Sequence, residues 1–219
     1  MHNQGRLPLS PQERRKREKE NKRNAVLKAA RKLFFEKGFK AVTVDSIAAK
    51  AQVSKGSIYL HFDSKEEIYV QILIANNIEF HKNVADIFRK ESSAAELLIE
   101  FARIYTDYFI NDNELFRIFM AFMLRADQMN LTAEQDTYLQ RMTNDNIRII
   151  SEILQKGVDS GEFAPGINVR QGQNAIWGLL NGIISLYLFT SAPEKRTEKI
   201  HSMVSESVNI FIKGIKKTD

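Results

Sequence analysis

Apolar residues recur every three or four positions along most of the 219-residue chain. This spacing places them on one face of an α-helix. No Gly or Pro interrupts the 100 residues from 57 to 156. Such a run favours long helices joined by short polar loops over sheets and tight turns. The pattern therefore predicts an all-α protein of about nine helices.

The signals for the first helix begin at Ser10. Ser10 is a suitable N-cap, Pro11 suits the first helical position, and Glu13 would complete a capping box. Polar and basic residues follow up to position 23 and continue, without a helix breaker, into an amphipathic segment that ends before Gly38. We expect an elongated first helix, or an arm that becomes helical on DNA. Gly38 is expected to be its left-handed C-cap.

The stretch TVDSIAAKAQVSKGSIYLHF at 43–62 predicts two short helices joined by a tight turn. Thr43 caps the first helix and Ser54 caps the second. Gln52 lies in the turn between them. A helix this short has too little core to be stable alone, so it needs a scaffold. This is the layout of a helix-turn-helix, whose second helix enters the DNA major groove by its N-terminal end.

This stretch, together with AARKLFFEKGF at 29–39 and SKEEIY at 64–69, closely resembles the DNA-binding domain of tetracycline-repressor-like (TetR family) transcriptional regulators. The resemblance covers residues 24–73 and is highly specific as a combined pattern. It departs at Gln52, where the family usually has Gly, which tolerates a left-handed backbone more readily. The resemblance implies a homodimer that binds a double-stranded DNA operator, and a helical body with a cavity for a small-molecule effector.

The resemblance also indicates which residues contact DNA, and the chemistry of these residues agrees. Lys55 can reach a guanine edge or a phosphate, and Gly56 lets the backbone approach the groove. His61 is equally well explained as a packing residue between helices. The predicted DNA-contacting residues are Thr43, Lys55, Gly56, Ser57, Tyr59, His61 and Lys65.

The net charge of +5 hides an asymmetry along the chain. Residues 1–65 contain 16 Lys and Arg against 6 Asp and Glu, whereas residues 66–219 contain 16 against 21. A basic first third on an acidic remainder indicates a polyanion bound at one end. The basic arm at 1–22 is expected to contact DNA, and its alternative role is that of a solubilising tail.

The body of the chain is rich in aromatic and Met side chains, which suit a cavity for a largely hydrophobic effector. An aromatic stripe at helical spacing is also typical of plain core. Arg103, Asn146 and Asn181 are possible polar contacts, and the apolar helix at 114–125 is expected to be central in the body. The predicted effector-pocket residues are Phe101, Tyr105, Tyr108, Phe119, Met120, Met123, Met142 and Trp177.

The last two helices are the predicted dimer interface. Gly178 and Gly182 share one face of the first, and a glycine inside a helix costs about 1 kcal/mol relative to Ala, so close approach by another backbone would compensate. Val204, Val208 and Phe211 lie along the second. The alternative is that both helices complete the core of the monomer.

Other function classes find little support. The chain contains no Cys, and its four His residues are scattered. It has no metalloprotease motif, phosphate-cradling Gly-rich loop or Gly-flanked nucleophilic Ser. We therefore expect no enzyme activity, metal or cofactor. Without a secretory signal or a membrane span, we expect a cytoplasmic protein. An amphipathic module that binds a membrane surface or another protein remains an alternative, but it leaves the helix-turn-helix spacing unexplained.

The predicted domains are therefore a basic arm or helix extension at 1–22, a three-helix DNA-binding domain at 23–68, and a larger effector-binding and dimerisation domain at 69–219. The predicted function is a ligand-released repressor that binds a palindromic operator as a homodimer.

Overall fold

The computed structural model of the chain describes residues 10–84, 87, 91–190 and 196–217. These residues form nine α-helices and no strand, so the all-α prediction is confirmed for the part of the chain that is described. The helices are α1 (Pro11–Lys37), α2 (Val44–Ala51), α3 (Lys55–Tyr59), α4 (Lys65–Val84), α5 (Ala94–Asn111), α6 (Asn113–Arg125), α7 (Ala133–Asp159), α8 (Val169–Thr190) and α9 (Arg196–Ile215). None of them combines the length and the apolarity that a membrane crossing requires.

The chain divides into two compact units. The first contains Met1–Ile72 and Ala121–Leu131, and the second contains Leu73–Met120 and Thr132–Asp219. Two helices, α4 and α6, therefore contribute residues to both units. The sequence-based boundary between residues 68 and 69 stays a prediction.

The first unit begins with the 27-residue helix α1, and the predicted capping box at its start is confirmed. Ser10 Oγ accepts a hydrogen bond from Glu13 N (3.2 Å), and Glu13 Oε2 accepts one from Ser10 N (2.8 Å). The prediction of an elongated first helix is confirmed from Pro11 onward, and residues 1–9 lie outside the described part. At Gly38, φ is 76°, positive as expected, but ψ is 161°, so the residue lies outside the left-handed helical region that was predicted for this cap.

The apolar face of α1 packs against α2 and α3, and the resulting core holds the short helices in place. Ile47 of α2 and Ile58 of α3 are buried, with exposures of 0% and 1%. Phe34 and Phe39 stack with ring centroids 5.6 Å apart, and Tyr69 of α4 meets both rings edge to face. This core supplies the scaffold that a five-residue helix needs.

In the second unit, α5 packs against α7, α8 and α9. Its buried face includes Leu97, Leu98, Phe101 and Tyr105. The helix predicted to be central in the body, at 114–125, is buried at Leu115, Phe116 and Ile118, but its carboxy-terminal end belongs to the first unit and Leu124 is 73% exposed. An apolar residue pattern all round a helix did not distinguish a central position from a helix shared by two units.

Candidate DNA-reading surface and ligand cavity

Side-chain caps fix both short helices of the helix-turn-helix. Thr43 Oγ1 accepts from Ser46 N (3.2 Å), and Ser46 Oγ accepts from Thr43 N (3.1 Å). Ser54 Oγ accepts from Ser57 N (3.1 Å) at the start of α3. Gln52 ends α2 with φ 56° and ψ 41°, a left-handed conformation that Gly would adopt more readily. The turn therefore holds a non-glycine residue where glycine would be less strained.

Lys55, at the first position of α3, is paired across the turn. Its Nζ donates to Asp45 Oδ2 (2.9 Å), and this hydrogen bond, with the charge of Asp45, raises the pKa of the Lys55 ammonium group. Both side chains are at least half exposed. An exposed pair of this kind is weak, so a DNA phosphate or a base edge can replace Asp45 at little cost.

The other exposed groups of α3 lie on the same short segment. Gly56 is exposed, and a Cβ placed on it would have Ser54 Oγ, 3.9 Å away, as its nearest neighbour. Tyr59 is 49% exposed and Ser57 is partly exposed, whereas Ile58 between them is buried. Leu60, directly after α3, is 77% exposed and was not among the residues predicted to contact DNA. Its signal in the sequence is an apolar residue that falls outside the inward-facing positions of α3.

His61 lies in a cleft between α1 and the end of the helix-turn-helix. The residues that line the cleft are Arg15, Glu18, Lys19, Lys22, Leu60 and His61. Burial lowers the pKa of His61, and the positive charges of Lys19, Arg23 and Lys22 lower it further. The cleft is therefore a cationic surface next to the reading helix.

Two of the predicted phosphate contacts are already engaged within the protein. Thr43 caps α2, as described above. Lys65 Nζ donates to the carbonyl oxygen of Phe39 (3.0 Å) and lies 4.2 Å from the centroid of the Phe39 ring. These contacts join the start of α4 to the loop after α1. DNA contact by Thr43 and Lys65 stays a prediction.

A cavity lies inside the second unit, between residues of α4, α5, α6, α7 and α8. Five of the eight predicted pocket residues line it: Tyr105, Tyr108, Phe119, Met142 and Trp177. The lining residues that sequence reasoning missed are Leu73, Asn76, Asn77, Phe80, Phe109, Leu115 and Thr143. Asn146, predicted as a polar contact, also lines the cavity.

The aromatic residues of this cavity pack against one another in edge-to-face, tilted and stacked pairs. The Phe80 ring lies 5.8 Å from Tyr105 and 5.5 Å from Tyr108, centroid to centroid. Phe109 lies 4.9 Å from Tyr105 and 5.7 Å from Phe119. Aromatic pairs contribute more to stability than the burial of their area alone, so these contacts help to hold the side chains of the lining in place.

Three predicted pocket residues do not line the cavity. Phe101 is buried behind it and packs against Phe80 and Tyr105. Met120 is absent from the lining, and Met123 belongs to the first compact unit. Helical spacing placed these side chains near the right helices without resolving which way each one faces.

The other two predicted polar contacts are also occupied. Arg103 lies on the surface, where it pairs with Glu100 (3.0 Å) and Asp107 (2.9 Å). Asn181 is buried outside the lining, and its Oδ1 accepts a hydrogen bond from the Tyr105 hydroxyl (2.9 Å). Burial raises the pKa of Tyr105, although the hydrogen bond to Asn181 acts in the opposite direction.

The predicted dimer residues fall into two groups. Gly178 and Gly182 are exposed on α8, and no described heavy atom outside their own helix turn lies within 4 Å of a Cβ built on either one. Val204 and Val208 are buried inside the protomer, because that face of α9 packs against α5 and α8. Their assignment to a dimer interface is therefore corrected. Phe211 is half-buried.

Among the described residues, no group of three His, Cys, Asp or Glu side chains is arranged to hold a metal ion. The exposed apolar residues of the last two helices, which sequence reasoning did not assign to an interface, are Leu186, Met203 and Ile210.

Comparison with known proteins gives two family matches. Residues 26–72 match the model described as bacterial regulatory proteins, tetR family, and residues 120–217 match the C-terminal region of QacR-like proteins. The chain is 25% identical over 172 residues to the fatty acid metabolism regulator protein of Bacillus subtilis, and the match spans 78% of this chain and 86% of that protein. It is 23% identical over 197 residues to the transcriptional regulator QacR of Staphylococcus aureus, spanning 90% of this chain and all of QacR.

Among solved structures, the Bacillus subtilis regulator FadR in complex with stearoyl-CoA superimposes with a TM-score of 0.71. The two chains are 20% identical, and the match covers 87% of this chain and 98% of FadR. At this identity the likeness concerns the fold.

Proposed function

The chain belongs to the tetR family of bacterial regulatory proteins and is a DNA-binding transcription regulator, and from this premise we propose that it is a repressor released by a largely hydrophobic small molecule. As a homodimer it binds a palindromic operator. The observation that carries the proposal is the pairing of an exposed, side-chain-capped helix α3 with an aromatic cavity in the second unit.

Base reading is assigned to the exposed side of α3. Lys55, Gly56 and Tyr59 are exposed while Ile58 anchors the helix, so the segment can enter a groove without losing its core. Contacts to the DNA backbone fix the position of the protein along the duplex. Contacts to base edges in the groove determine which sequence it prefers. Tyr59 and Lys55 are therefore the residues on which specific affinity depends most.

The basic extension of α1 supplies phosphate contacts at the flank of each half-site. Arg23 Nη2 donates to Gln71 Oε1 (2.8 Å), and its guanidinium lies 5.5 Å from the centroid of the Phe62 ring. These contacts hold the extension against the helix-turn-helix. Lys19 and Lys22 then face the cleft beside His61, where no ion pair with another described residue neutralises them.

Removal of residues 1–22 tests this role. We expect weaker operator binding and a shallower dependence of affinity on salt, since the slope falls by about 0.9 for each phosphate that the protein no longer neutralises. Fluorescence anisotropy at several salt concentrations measures both quantities. A control variant that replaces Lys199 and Lys213 of α9 by Ala should keep the salt slope of the full-length protein. An unchanged slope after truncation would show that the extension is only a solubilising tail.

A hydrophobic effector is supported by the apolar cavity and by the relatives. The Bacillus subtilis relative is a fatty acid metabolism regulator, and the superimposed FadR structure contains stearoyl-CoA. Effector binding is proposed to disfavour the DNA-bound conformation, which requires the effector to bind the two conformations with different affinity. Helices α4 and α6 are the candidates for this coupling, because each contributes residues to the cavity and to the DNA-binding unit.

The dimer is assigned to the exposed face of α8 with support from α9. Gly178, Gly182 and Leu186 recur at intervals of four, so they share one face of α8, and a residue without a side chain allows close helix packing. Gly182→Lys should yield a monomer by sedimentation, while Gly166→Lys, at an exposed loop glycine, should leave the dimer intact. A dimeric Gly182→Lys protein would place the interface elsewhere.

Selection of bound sequences from a pool of random double-stranded DNA tests the function as a whole. We expect a palindrome whose half-sites lie roughly 34–36 Å apart, the spacing of one helical turn. DNA binding without sequence preference, or binding to anionic vesicles instead, would favour the alternative of an amphipathic surface-binding module.

A further inference from the structure

The cavity of the second unit has an uncharged lining. Of its thirteen described lining residues, nine are aliphatic, aromatic or Met, and the other four are Asn76, Asn77, Thr143 and Asn146. None is Asp, Glu, Lys, Arg or His. Burying a carboxylate or an ammonium group is costly unless an opposite charge or several hydrogen bonds compensate. The lining therefore favours a neutral ligand.

The hydroxyl groups around the cavity are already used by the protein. Tyr105 donates to Asn181 Oδ1 (2.9 Å), and Tyr108 donates to the carbonyl oxygen of Asn76 (2.6 Å). Thr143 donates to the carbonyl oxygen of Leu139, one turn earlier on α7 (3.0 Å). A ligand that enters the cavity meets hydroxyl groups whose protons are already donated.

One amide is left incompletely bonded. Asn146 Nδ2 donates to Asn77 Oδ1 (2.6 Å), which joins α7 to α4. The other amide atom of Asn146, Oδ1, is buried and has no hydrogen-bond partner among the described residues. A buried polar atom without a partner costs stability, and a ligand that bonds to it recovers that cost.

The chemistry of the missing partner follows from the amide. As placed, Asn146 Oδ1 accepts a hydrogen bond, and if the Asn77 and Asn146 amides both turn over, the same point presents a donor. A hydroxyl or a carboxamide can donate and accept, so it satisfies Asn146 in either orientation. A carboxylate only accepts and an alkylammonium cannot accept, and both bring an unpaired charge.

The cavity of the second unit is small. The cavity volume open to the centre of a water molecule is about 40 Å³, within a region of about 460 Å³ that is free of protein atoms and includes open solvent. Since a water needs roughly 10–15 Å³ of such space, the cavity as it stands has room for about three waters, and a longer ligand has to displace side chains of the lining. A flexible alkyl chain requires less displacement than a bulky ring system.

We propose that the effector of this regulator carries a slender alkyl chain and a neutral hydroxyl or carboxamide group, which bonds to the Asn146–Asn77 amide pair. This inference rests on the proposed release by a small molecule and names the class of molecule. It distinguishes the site from one that holds a charged carboxylate or a quaternary ammonium ion.

Four probes with the same eight-carbon chain test it on the full-length protein: 1-octanol, octanamide, octanoate and octyltrimethylammonium. Binding by isothermal titration calorimetry at neutral pH should be at least tenfold tighter for the alcohol and the amide than for either ion. The two neutral probes should also displace the selected operator. Tighter binding of octanoate or of octyltrimethylammonium would overturn the proposal.

Substitutions at Asn146 test whether its amide causes the preference for neutral probes. Asn146→Leu should weaken octanol binding about tenfold, the equivalent of one hydrogen bond to the ligand. Asn146→Asp should reverse the preference, so that octyltrimethylammonium binds better than octanol, a gain that misfolding cannot produce. Asn144→Leu and Asn144→Asp, at an exposed position on the same helix, should leave all four affinities unchanged. Unchanged octanol binding in Asn146→Leu would refute the role of the amide.

The outcome separates the ligand class from the function. If no probe binds while the protein still selects a palindromic operator, the proposed ligand class is wrong and the repressor function stands. If neutral probes bind but no operator is selected, the repressor function is wrong and the chemistry of the cavity stands.

Discussion

In the first unit, the residues of the helix-turn-helix proposed to meet DNA are exposed or partly exposed and come from one stretch of 23 residues, 43–65. In the second unit, the side chains that line the cavity come from five helices and are mostly buried. Local hydrogen bonds, such as those of Thr43 and Ser54, position the former. Long-range packing of aromatic rings positions the latter.

This difference predicts how each region responds to change. The side chain of Lys55 or Tyr59 on α3 can be removed with little loss of stability, because each is about half exposed and few contacts depend on it. A side chain around the cavity supports its neighbours, so its removal alters stability together with ligand binding. On α3, DNA binding can therefore be changed without changing stability, whereas a change around the cavity affects ligand binding and stability together.

The largest expected effect is that of Phe116→Ala in the second unit. Phe116 is fully buried and meets Phe109 edge to face (5.1 Å), so its truncation should lower the free energy of unfolding by about 3–5 kcal/mol. Chemical denaturation of the full-length protein measures the loss. Tyr138→Ala, at a half-exposed position on α7, should cost less than about 0.5 kcal/mol. Equal losses for the two variants would show that burial does not set the cost of truncation in the second unit.

Tyr59→Ala and Lys55→Ala test the same comparison in the first unit. Each should weaken specific operator binding by about 1–3 kcal/mol per protomer, the range for a good base contact, and a symmetric dimer makes two such contacts. Binding of the selected operator and of a scrambled duplex measures the specific part. The free energy of unfolding should change by no more than about 0.5 kcal/mol, because both side chains are half exposed. Retained specificity would refute the assignment of α3 to the groove.

A smaller effect is expected at Gly157, near the end of α7. A Cβ built on Gly157 would overlap the ring of Phe163, which is fully buried and whose N donates to the Gly157 carbonyl oxygen (2.9 Å). Gly157→Ala should therefore destabilise the protein by about 1–3 kcal/mol. Gly214→Ala on α9 has open space and should stabilise its helix by up to about 1 kcal/mol. Thermal unfolding of both variants shows whether each substitution raises or lowers stability. A stabilising Gly157→Ala would contradict the packing of Phe163 against Gly157.

The smallest effect is expected at Gln52, where the reading surface carries local strain. Gly adopts the left-handed conformation without a steric penalty, so Gln52→Gly should stabilise the protein by about 0.5–1 kcal/mol. Ala49→Gly, at an exposed position inside α2, should destabilise it by about 1 kcal/mol through helix propensity. Operator affinity should change little in Gln52→Gly. A loss of stability there would mean that the Gln52 side chain contributes contacts that outweigh the strain.

Several features could be predicted from sequence because they depend on neighbouring residues. The capping box at Ser10 and the N-caps at Thr43 and Ser54 involve groups three residues apart. The place of Gln52 in the turn can also be read from the sequence, whereas its left-handed conformation is a finding of the structure. The position of a helix-turn-helix can thus be found in a contiguous stretch, although the engagement of Lys55 with Asp45 and of Lys65 with Phe39 could not be read from it.

The cavity could be predicted only in part. Tyr105 and Phe101 lie one turn apart on α5, yet only Tyr105 reaches the cavity. Phe119 and Met123 lie one turn apart on α6 and belong to different compact units. Val204 and Val208 form an apolar stripe that suits a dimer interface as well as a monomer core, and packing against α5 and α8 decides between the two.

By itself, then, the sequence determined the helices, the N-caps at Ser10, Thr43 and Ser54, the helix-turn-helix and the division into a basic first third and an acidic remainder. Periodicity, capping and charge act over a few residues and need no knowledge of the fold. Only the tertiary structure decided which apolar faces line a cavity and that Asn77 meets Asn146. It also decided that Ala121–Leu131 joins the first unit. The physical reason is that helical spacing defines a face of a helix, whereas the partner of that face depends on segments that are distant in the chain.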